Sequence, residues 1–255
     1  MALQIGSVLE EAGYRLFSRT GAILLVAFFA LMASFQALFN TILATTYARM
    51  GYGEIAAALP LTLDISLNVA GAGIAIGSVV SLYLTIVSFR TFATGTRDSF
   101  PEGAFTRNVP LAMVNVLVGG IVYGLLVFVG SVLLLIPGIF AYVAFIFMMP
   151  YVIVEDRNFV AALKESYRLT EGDRLTLFGL LFIVIAAAAL VGGIVGLVGA
   201  LALPQPAAQL PTVVIQPLVS LYSTAVIAVA FEQLRETDGM PPSAPSEDGT
   251  PTTAL

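Results

Sequence analysis

Long apolar stretches separated by short charged clusters make up most of the chain. Residues 20–48 and 65–89 contain no charged side chain, and neither do the longer stretches 108–154 and 175–231. A membrane-spanning helix needs about 20 apolar residues to cross the hydrocarbon layer. The first two stretches therefore hold one span each, and the last two hold two spans each. The pattern predicts an all-α polytopic membrane protein with six transmembrane helices.

The expected spans pair as three hairpins in a membrane domain of residues 1–235. They cover about residues 21–46, 66–89, 109–136, 139–154, 175–201 and 212–231. Pro137 and Gly138 are expected to form the turn between spans three and four, because proline interrupts a helix and glycine tolerates tight reversals. Pro150 is expected to kink the end of span four. A re-entrant fourth span, with Pro137–Gly138 as a mere kink, is the alternative.

Two amphipathic segments are expected to lie on the membrane surface as elbow helices before the first and third hairpins. The first covers about residues 4–18, where Ile5, Val8, Leu9, Ala12 and Leu16 share one face. The second covers about residues 157–171 and contains Lys164 and Arg168. Residues 236–255 are rich in proline, serine, threonine and acid, which predicts a disordered acidic tail.

Basic residues are distributed unevenly between the two sides of the predicted membrane domain. All of them except Arg49 fall on the side of the two elbow helices. Cytoplasmic loops carry the excess of lysine and arginine, so the pattern predicts a plasma-membrane protein with both termini in the cytoplasm. A net charge of −5 with no cysteine indicates a salt-adapted, halophilic source; an ordinary protein with an acidic tail is the alternative.

Candidate chemistry is sparse. The chain has no cysteine and no histidine, so disulfides, thiol or imidazole metal sites and histidine-based catalysis are excluded. No predicted span has an ionisable residue at its middle, which argues against a coupled transporter. The sequence therefore predicts a non-enzymatic protein without cofactor, metal site or nucleic-acid partner.

Small residues recur four apart within three of the spans, a spacing that lets membrane helices pack closely. The pairs are Gly73 and Gly77, Gly120 and Gly124, and Gly192 and Gly196. We expect them to pack against other helices of the same chain. Packing between two copies of the chain is the alternative.

The stretch PGIF, followed by MMPYVIVEDRNFVAALKESYRLTEG, resembles the membrane domain that precedes some glycerophosphoryl diester phosphodiesterases. The resemblance covers residues 136–174. It implies a six-span membrane domain that associates with a lipid or a lipid-related partner, whereas the phosphodiesterase activity belongs to a separate domain. The positions that carry the motif are Pro137, Gly138, Pro150, Glu155, Asp156, Ala162, Leu163, Ser166, Arg168 and Gly172.

Individual roles follow for some of these positions. Glu155 and Asp156 are expected to end span four and cap the next helix, with Asn158 as the alternative cap. Leu163 is expected to dock the elbow helix, and Gly172 to end it. Arg168 is a candidate contact for a lipid phosphate, because a guanidinium group binds phosphate with two parallel hydrogen bonds. Non-specific contact with anionic headgroups is the alternative.

Three functions remain open from the sequence. The first is a scaffold or partner subunit of a lipid-related or transport complex, bound by a membrane or cytoplasmic protein. The second is a lipid-binding or lipid-moving protein with a groove lined by Asn115 and Arg168. The third is a transporter or channel component. The scaffold role is slightly favoured, because it requires the least special chemistry.

Overall fold

The computed structural model describes residues 3–204, 207–237 and 239, and all regular structure within them is helical. The helices are α1 (Ile5–Leu16), α2 (Arg19–Arg49), α3 (Gly53–Ala57), α4 (Leu67–Ala93), α5 (Val109–Leu133), α6 (Leu135–Ala144), α7 (Met148–Val154), α8 (Phe159–Leu169), α9 (Arg174–Ala202) and α10 (Leu210–Thr237), with a short 3₁₀ turn at Ala207–Gln209 before α10.

Six helical segments are long and apolar enough to cross a membrane. They are α2, α4, α5, the combined α6 and α7, α9, and α10 with its preceding 3₁₀ turn. The helices pair as three hairpins, α2 with α4, α5 with α6 and α7, and α9 with α10. Their outer faces are apolar, since residues such as Val26, Leu117 and Leu201 are exposed. The protein is thus an all-α polytopic membrane protein.

The three hairpins pack together mainly at one end, which we call the ion-paired end because every ion pair among the described residues lies there. In α4 the buried residues are concentrated in 86–93, and in α10 in 221–235. In α9 they lie mostly in 177–184. At the opposite end the helices contact chiefly their own hairpin partners, and the sides of α5 and α9 are exposed.

The reversal between the third and fourth spans occurs at Leu134, an extended residue with φ −156° and ψ 133°, so the prediction of a turn at Pro137 and Gly138 is wrong. Both residues lie in the first turn of α6, where proline is tolerated because its nitrogen has no helical partner. Gly138 instead allows close contact with α5, since a Cβ there would collide with Ser131.

The fourth span is interrupted where α6 ends at Ala144 and α7 begins at Met148. Pro150 is the third residue of α7, and it lacks the N–H group that would bond to the Ile146 carbonyl in a continuous helix. The expected irregularity of the fourth span is therefore present, and it lies just before Pro150, between Ala144 and Met148.

At most helix ends, the predicted boundary differs from the observed one by a few residues. The elbow helices are α1 and α8, each slightly shorter than expected, and α2 is longer at both ends. The sequence did not predict α3 or the 3₁₀ turn. Of the predicted disordered tail, Glu236 and Thr237 belong to α10, and residues 238 and 240–255 lie outside the described residues.

The glycine pairs pack less uniformly than expected. Gly73 and Gly77 of α4 face Leu38 and Phe35 of α2, at 2.9 and 3.1 Å from where a Cβ would lie. Gly124 and Gly192 meet no atom within 4 Å, while Gly120 and Gly196 make only ordinary contacts with Met149 and Thr212. The close contact in α5 is one residue earlier, at Gly119, which faces Met148 and Phe159.

Candidate functional site

Asp156 joins α4, α7 and the segment before α5 at the ion-paired end. Its carboxylate lies 3.1 Å from Nε of Arg107 and 3.6 Å from Nη2 of Arg90. Arg90 is buried and also donates to the carbonyl oxygen of Ile153 at 3.0 Å. Asp156 has a positive φ of 53°, a conformation that aspartate tolerates better than most residues. It therefore acts as a cross-link and does not cap α8.

Glu155 connects the end of α7 to α10 and α8. It forms one ion pair with Arg235 of α10 and a longer one, 3.9 Å, with Arg157. Arg157 also pairs with Glu165 of α8 at 3.4 Å. The two acidic residues thus end the span as expected, and they also anchor it to its neighbours. The cap of α8 is Asn158, whose side-chain oxygen accepts from the N–H of Ala161 at 2.9 Å.

Arg15 of α1 lies at the centre of a third cluster. It contacts Glu11 at 2.8 Å and Glu232 of α10 at 2.6 Å, and it donates to the carbonyl oxygen of Phe92. Glu11 also binds Arg97 at 2.9 Å. Burial raises the pKa of the Glu11 carboxyl, but hydrogen bonds from Arg15 and Arg97, together with their charges, outweigh it and hold that pKa below its ordinary value.

Helix α8 packs against the break in the fourth span through three buried residues, Ala162, Ser166 and Leu169. The Ser166 hydroxyl donates to the Ala144 carbonyl at 3.0 Å and accepts from the Phe147 N–H at 3.1 Å. These bonds satisfy two backbone groups that the break leaves without helical partners. Gly172, with φ 96°, lies in the turn between α8 and α9.

An open groove of about 300 Å³ lies between α8, α5 and the break. It is lined by Leu126, Phe145, Leu163, Lys164, Tyr167 and Arg168. Leu163 is partly buried, so it docks α8 and forms part of the groove wall. Asn115, which the sequence placed beside Arg168, lies outside this lining and accepts a hydrogen bond from the Phe159 N–H at 3.1 Å.

Lys164 and Arg168 are exposed and form no ion pair within the described part of the chain. The contrast with α1 is informative, because both helices contain Tyr-Arg-Leu. Four residues before the arginine, α1 has Glu11, which neutralises Arg15, whereas α8 has Lys164. Like charges at this spacing repel by a few tenths of a kcal/mol. The groove therefore carries an uncompensated positive charge.

Arg174, the first residue of α9, packs against Tyr167, one of the residues that line the groove. Its guanidinium carbon is 4.2 Å from the ring centre of Tyr167 and 4.8 Å from that of Phe140. It also donates to the Tyr167 carbonyl at 3.1 Å. Sequence reasoning did not identify Leu126 or Arg174 at this site. Leu126 comes from α5, whose packing beside α8 cannot be predicted from the sequence pattern, and Arg174 is in no motif that would distinguish it from other basic residues.

Two other concave regions are less suited to a ligand. The lining of a cavity of about 90 Å³ includes Arg90 and Arg107, and both arginines already bond to Asp156 and to carbonyl groups. A groove of about 190 Å³ between α9 and α10 is wholly apolar. No cluster of His, Cys, Asp or Glu that could hold a metal ion occurs among residues 3–204, 207–237 and 239.

Comparison with known proteins identifies the family but no characterised relative. No curated protein and no solved structure matches the chain. A family model described as "Domain of unknown function (DUF7847)" matches residues 3–234, which is nearly the whole membrane domain with both elbow helices and all six spans. The chain therefore belongs to this family.

Proposed function

We propose that the protein is a non-enzymatic membrane protein that binds an anionic lipid in the groove between α5, the break in the fourth span and α8. The observation that carries the proposal is the pair Lys164 and Arg168, two exposed cations without carboxylate partners in the described structure, beside an apolar wall. The proposal assigns the phosphate to these cations and part of an acyl chain to the wall.

The cations suit a phosphate group for two physical reasons. An anion between Lys164 and Arg168 relieves their mutual repulsion. The guanidinium group of Arg168 can also donate two parallel hydrogen bonds to phosphate oxygens, while Lys164 supplies a compact second charge. Hydrogen bonds of this kind, with both partners charged, are about twice as strong as neutral ones.

The apolar part of the groove suits a hydrocarbon chain. Leu126 lies on α5 and is 42% exposed, and Phe145 lies in the break of the fourth span. A lipid whose headgroup binds at α8 would have its acyl chain beside these side chains. Burial of apolar surface contributes about 25 cal/mol per Å² only where it removes contact with water, and an acyl chain in the membrane has little such contact to lose. We therefore expect selectivity to come from the headgroup more than from the chain.

The proposal includes an orientation and a location. The ion-paired end carries every basic residue of the described helices except Arg49, which supports placing it and both termini in the cytoplasm of a plasma-membrane protein. The acidic composition supports a halophilic source. The resemblance to the membrane domain of glycerophosphoryl diester phosphodiesterases is compatible with a lipid ligand.

The sequence alone favours a scaffold or partner-subunit role, and a transporter or channel component is the third possibility. Within the described residues no surface points to a protein partner of particular chemistry, whereas the groove points to an anionic lipid. The lipid-binding function is therefore the one that we propose.

The test is native mass spectrometry of the protein in mild detergent with equal amounts of phosphatidylglycerol and phosphatidylcholine. We expect the wild type to retain one phosphatidylglycerol. The double variant Lys164→Gln/Arg168→Gln should retain roughly tenfold less, since it loses charged hydrogen bonds. Arg19→Gln is the control, because Arg19 is exposed at the same end and outside the groove. Equal retention by the wild type and the double variant would refute the proposal.

A further inference from the structure

The side chain of Arg174 lies between two aromatic rings beside the proposed lipid groove. Its guanidinium carbon lies over Tyr167 at 4.2 Å and over Phe140 at 4.8 Å, measured to the ring centres. Phe145 approaches Tyr167 from the break in the fourth span, with ring centres 6.1 Å apart. Two aromatic side chains therefore face one position, and a cation of the protein itself occupies it.

Aromatic faces arranged in this way are the usual binding site for quaternary ammonium groups such as choline, which are attracted by the ring quadrupoles. Phosphatidylcholine carries such a group next to its phosphate. In this protein, a choline group that entered the groove would meet Tyr167, one face of which is already covered by the Arg174 guanidinium. Two positive groups would then compete for the same aromatic position.

Arg174 is held in this position by more than the rings. Its Nη2 donates to the Tyr167 carbonyl at 3.1 Å, and its Nε approaches the Thr170 hydroxyl at 3.5 Å. It is also the first residue of α9, so its backbone is fixed by the turn after α8. These contacts favour a side chain that stays between the rings when a lipid binds.

We propose that Arg174 determines the headgroup specificity of the groove, by occupying the aromatic position that a choline group would need. With that position filled, Lys164 and Arg168 remain available for phosphate, and the groove selects anionic glycerophospholipids over choline lipids. The inference rests on the proposed lipid-binding function and adds the class of lipid and the residue that selects it.

The experiment measures the ratio of phosphatidylglycerol to phosphatidylcholine retained from an equimolar mixture, by native mass spectrometry. Arg174→Gln removes the cation but keeps a donor for the Tyr167 carbonyl. We expect it to lower the ratio by a factor of about five to ten, because an aromatic contact to choline becomes possible. Arg174→Lys keeps a cation at the rings and should keep the wild-type ratio. A thermal unfolding curve of each variant shows whether it is folded.

The possible results separate the two proposals. If the wild type retains both lipids equally, the inference is overturned, whatever the variants do. If the wild type prefers phosphatidylglycerol and folded Arg174→Gln keeps that preference, Arg174 does not set specificity, while lipid binding stands. If the preference survives in Lys164→Gln/Arg168→Gln, the groove is not the lipid site, and both proposals fail. A second aromatic change, Phe140→Leu in the Arg174→Gln background, should restore the wild-type ratio.

Discussion

Arginine residues at the ion-paired end differ in role according to their neighbours. Arg90 is 3% exposed, and its donors reach the Ile153 carbonyl, two other carbonyls and Asp156. Its burial is tolerable because the carbonyl groups replace water at Nε and Nη1, and the Asp156 carboxylate, 3.6 Å from Nη2, compensates the charge. Arg168 has no such partners among the described residues and remains exposed. The first arginine holds helices together, and the second is available to a ligand.

Glu11 gives a prediction at this scale, because its pKa is lowered in the folded protein. A lowered carboxyl pKa means that ionised Glu11 stabilises the fold above its ordinary pKa, and that this contribution disappears as the pH falls through the folded value. Arg15 on the same helix, Arg97 before α5 and Glu232 on α10 are the charged groups that surround it.

We expect Glu11→Gln to lower the free energy of unfolding by up to about 1 kcal/mol at neutral pH. The difference from the wild type should shrink over the acidic pH range, as Glu11 itself becomes protonated in the folded protein. Unfolding of both proteins in mild detergent across this range measures the effect. Glu10→Gln removes the same charge at an exposed position outside the ion pairs and is the control. A difference that stays constant with pH would contradict the prediction.

At the scale of helices, the sequence predicts the spans well and the irregular positions poorly. Uncharged stretches reveal spans because every charge costs free energy in hydrocarbon. Pro137 does not mark the turn, because proline is equally acceptable in the first turn of a helix. Gly138 does not mark it either, because a close contact between two helices requires glycine as much as a turn does. A turn cannot be distinguished from a helix start, or from a close contact between helices, without knowing that α5 lies against α6.

The candidate site was only partly predictable for a related reason. Arg168 and Leu163 could be identified from the pattern of α8 alone. Leu126 of α5 and Phe145 at the break come from other segments, and they approach α8 because α5 and the break pack against it. Arg174 follows α8 after a short turn, which returns its side chain to the Tyr167 carbonyl. The break is stabilised by Ser166, whose hydroxyl cannot be assigned a partner from the sequence.

Ser166 provides the prediction for this element. Ser166→Ala leaves the buried Phe147 N–H without its acceptor, and we expect the free energy of unfolding to fall by about 1–3 kcal/mol. The Ala144 carbonyl keeps a weaker donor in Thr170, at 3.3 Å. Ser78→Ala is the control, since the exposed Ser78 hydroxyl bonds only within α4 and its loss should change stability by less than about 0.5 kcal/mol. Equal effects of the two changes in thermal unfolding would contradict this role for Ser166.

At the scale of the whole molecule, charge and packing are concentrated at the same end. The three ion-paired clusters connect α1, α4, α7, α8 and α10, and helix α10 also packs against α2 and α4. The opposite end has Asn40, whose amide donates to the Pro60 carbonyl at 2.7 Å, but no ion pair among the described residues. This asymmetry supports the proposed orientation, because cytoplasmic segments carry the excess of lysine and arginine.

The orientation can be tested by introducing single cysteines, since the chain has none of its own. Ser99 and Thr237 are exposed at the ion-paired end, and Thr62 and Leu203 at the opposite end. In intact cells, a membrane-impermeant maleimide should label Thr62→Cys and Leu203→Cys. It should reach Ser99→Cys and Thr237→Cys only after the membrane is disrupted. The reverse pattern would overturn the proposed orientation and leave the fold unchanged.

Leu134→Cys tests the fourth span in the same assay, because Leu134 is the reversal between α5 and α6 and is 69% exposed. The segment from Leu135 to Val154 contains 20 residues, or about 30 Å at 1.5 Å per residue, which is enough to cross the hydrocarbon layer. We therefore expect labelling from outside the cell. Labelling only after the membrane is disrupted, or none at all, would show that the α5–α6 hairpin does not reach the outer surface, and the protein would then have four complete spans.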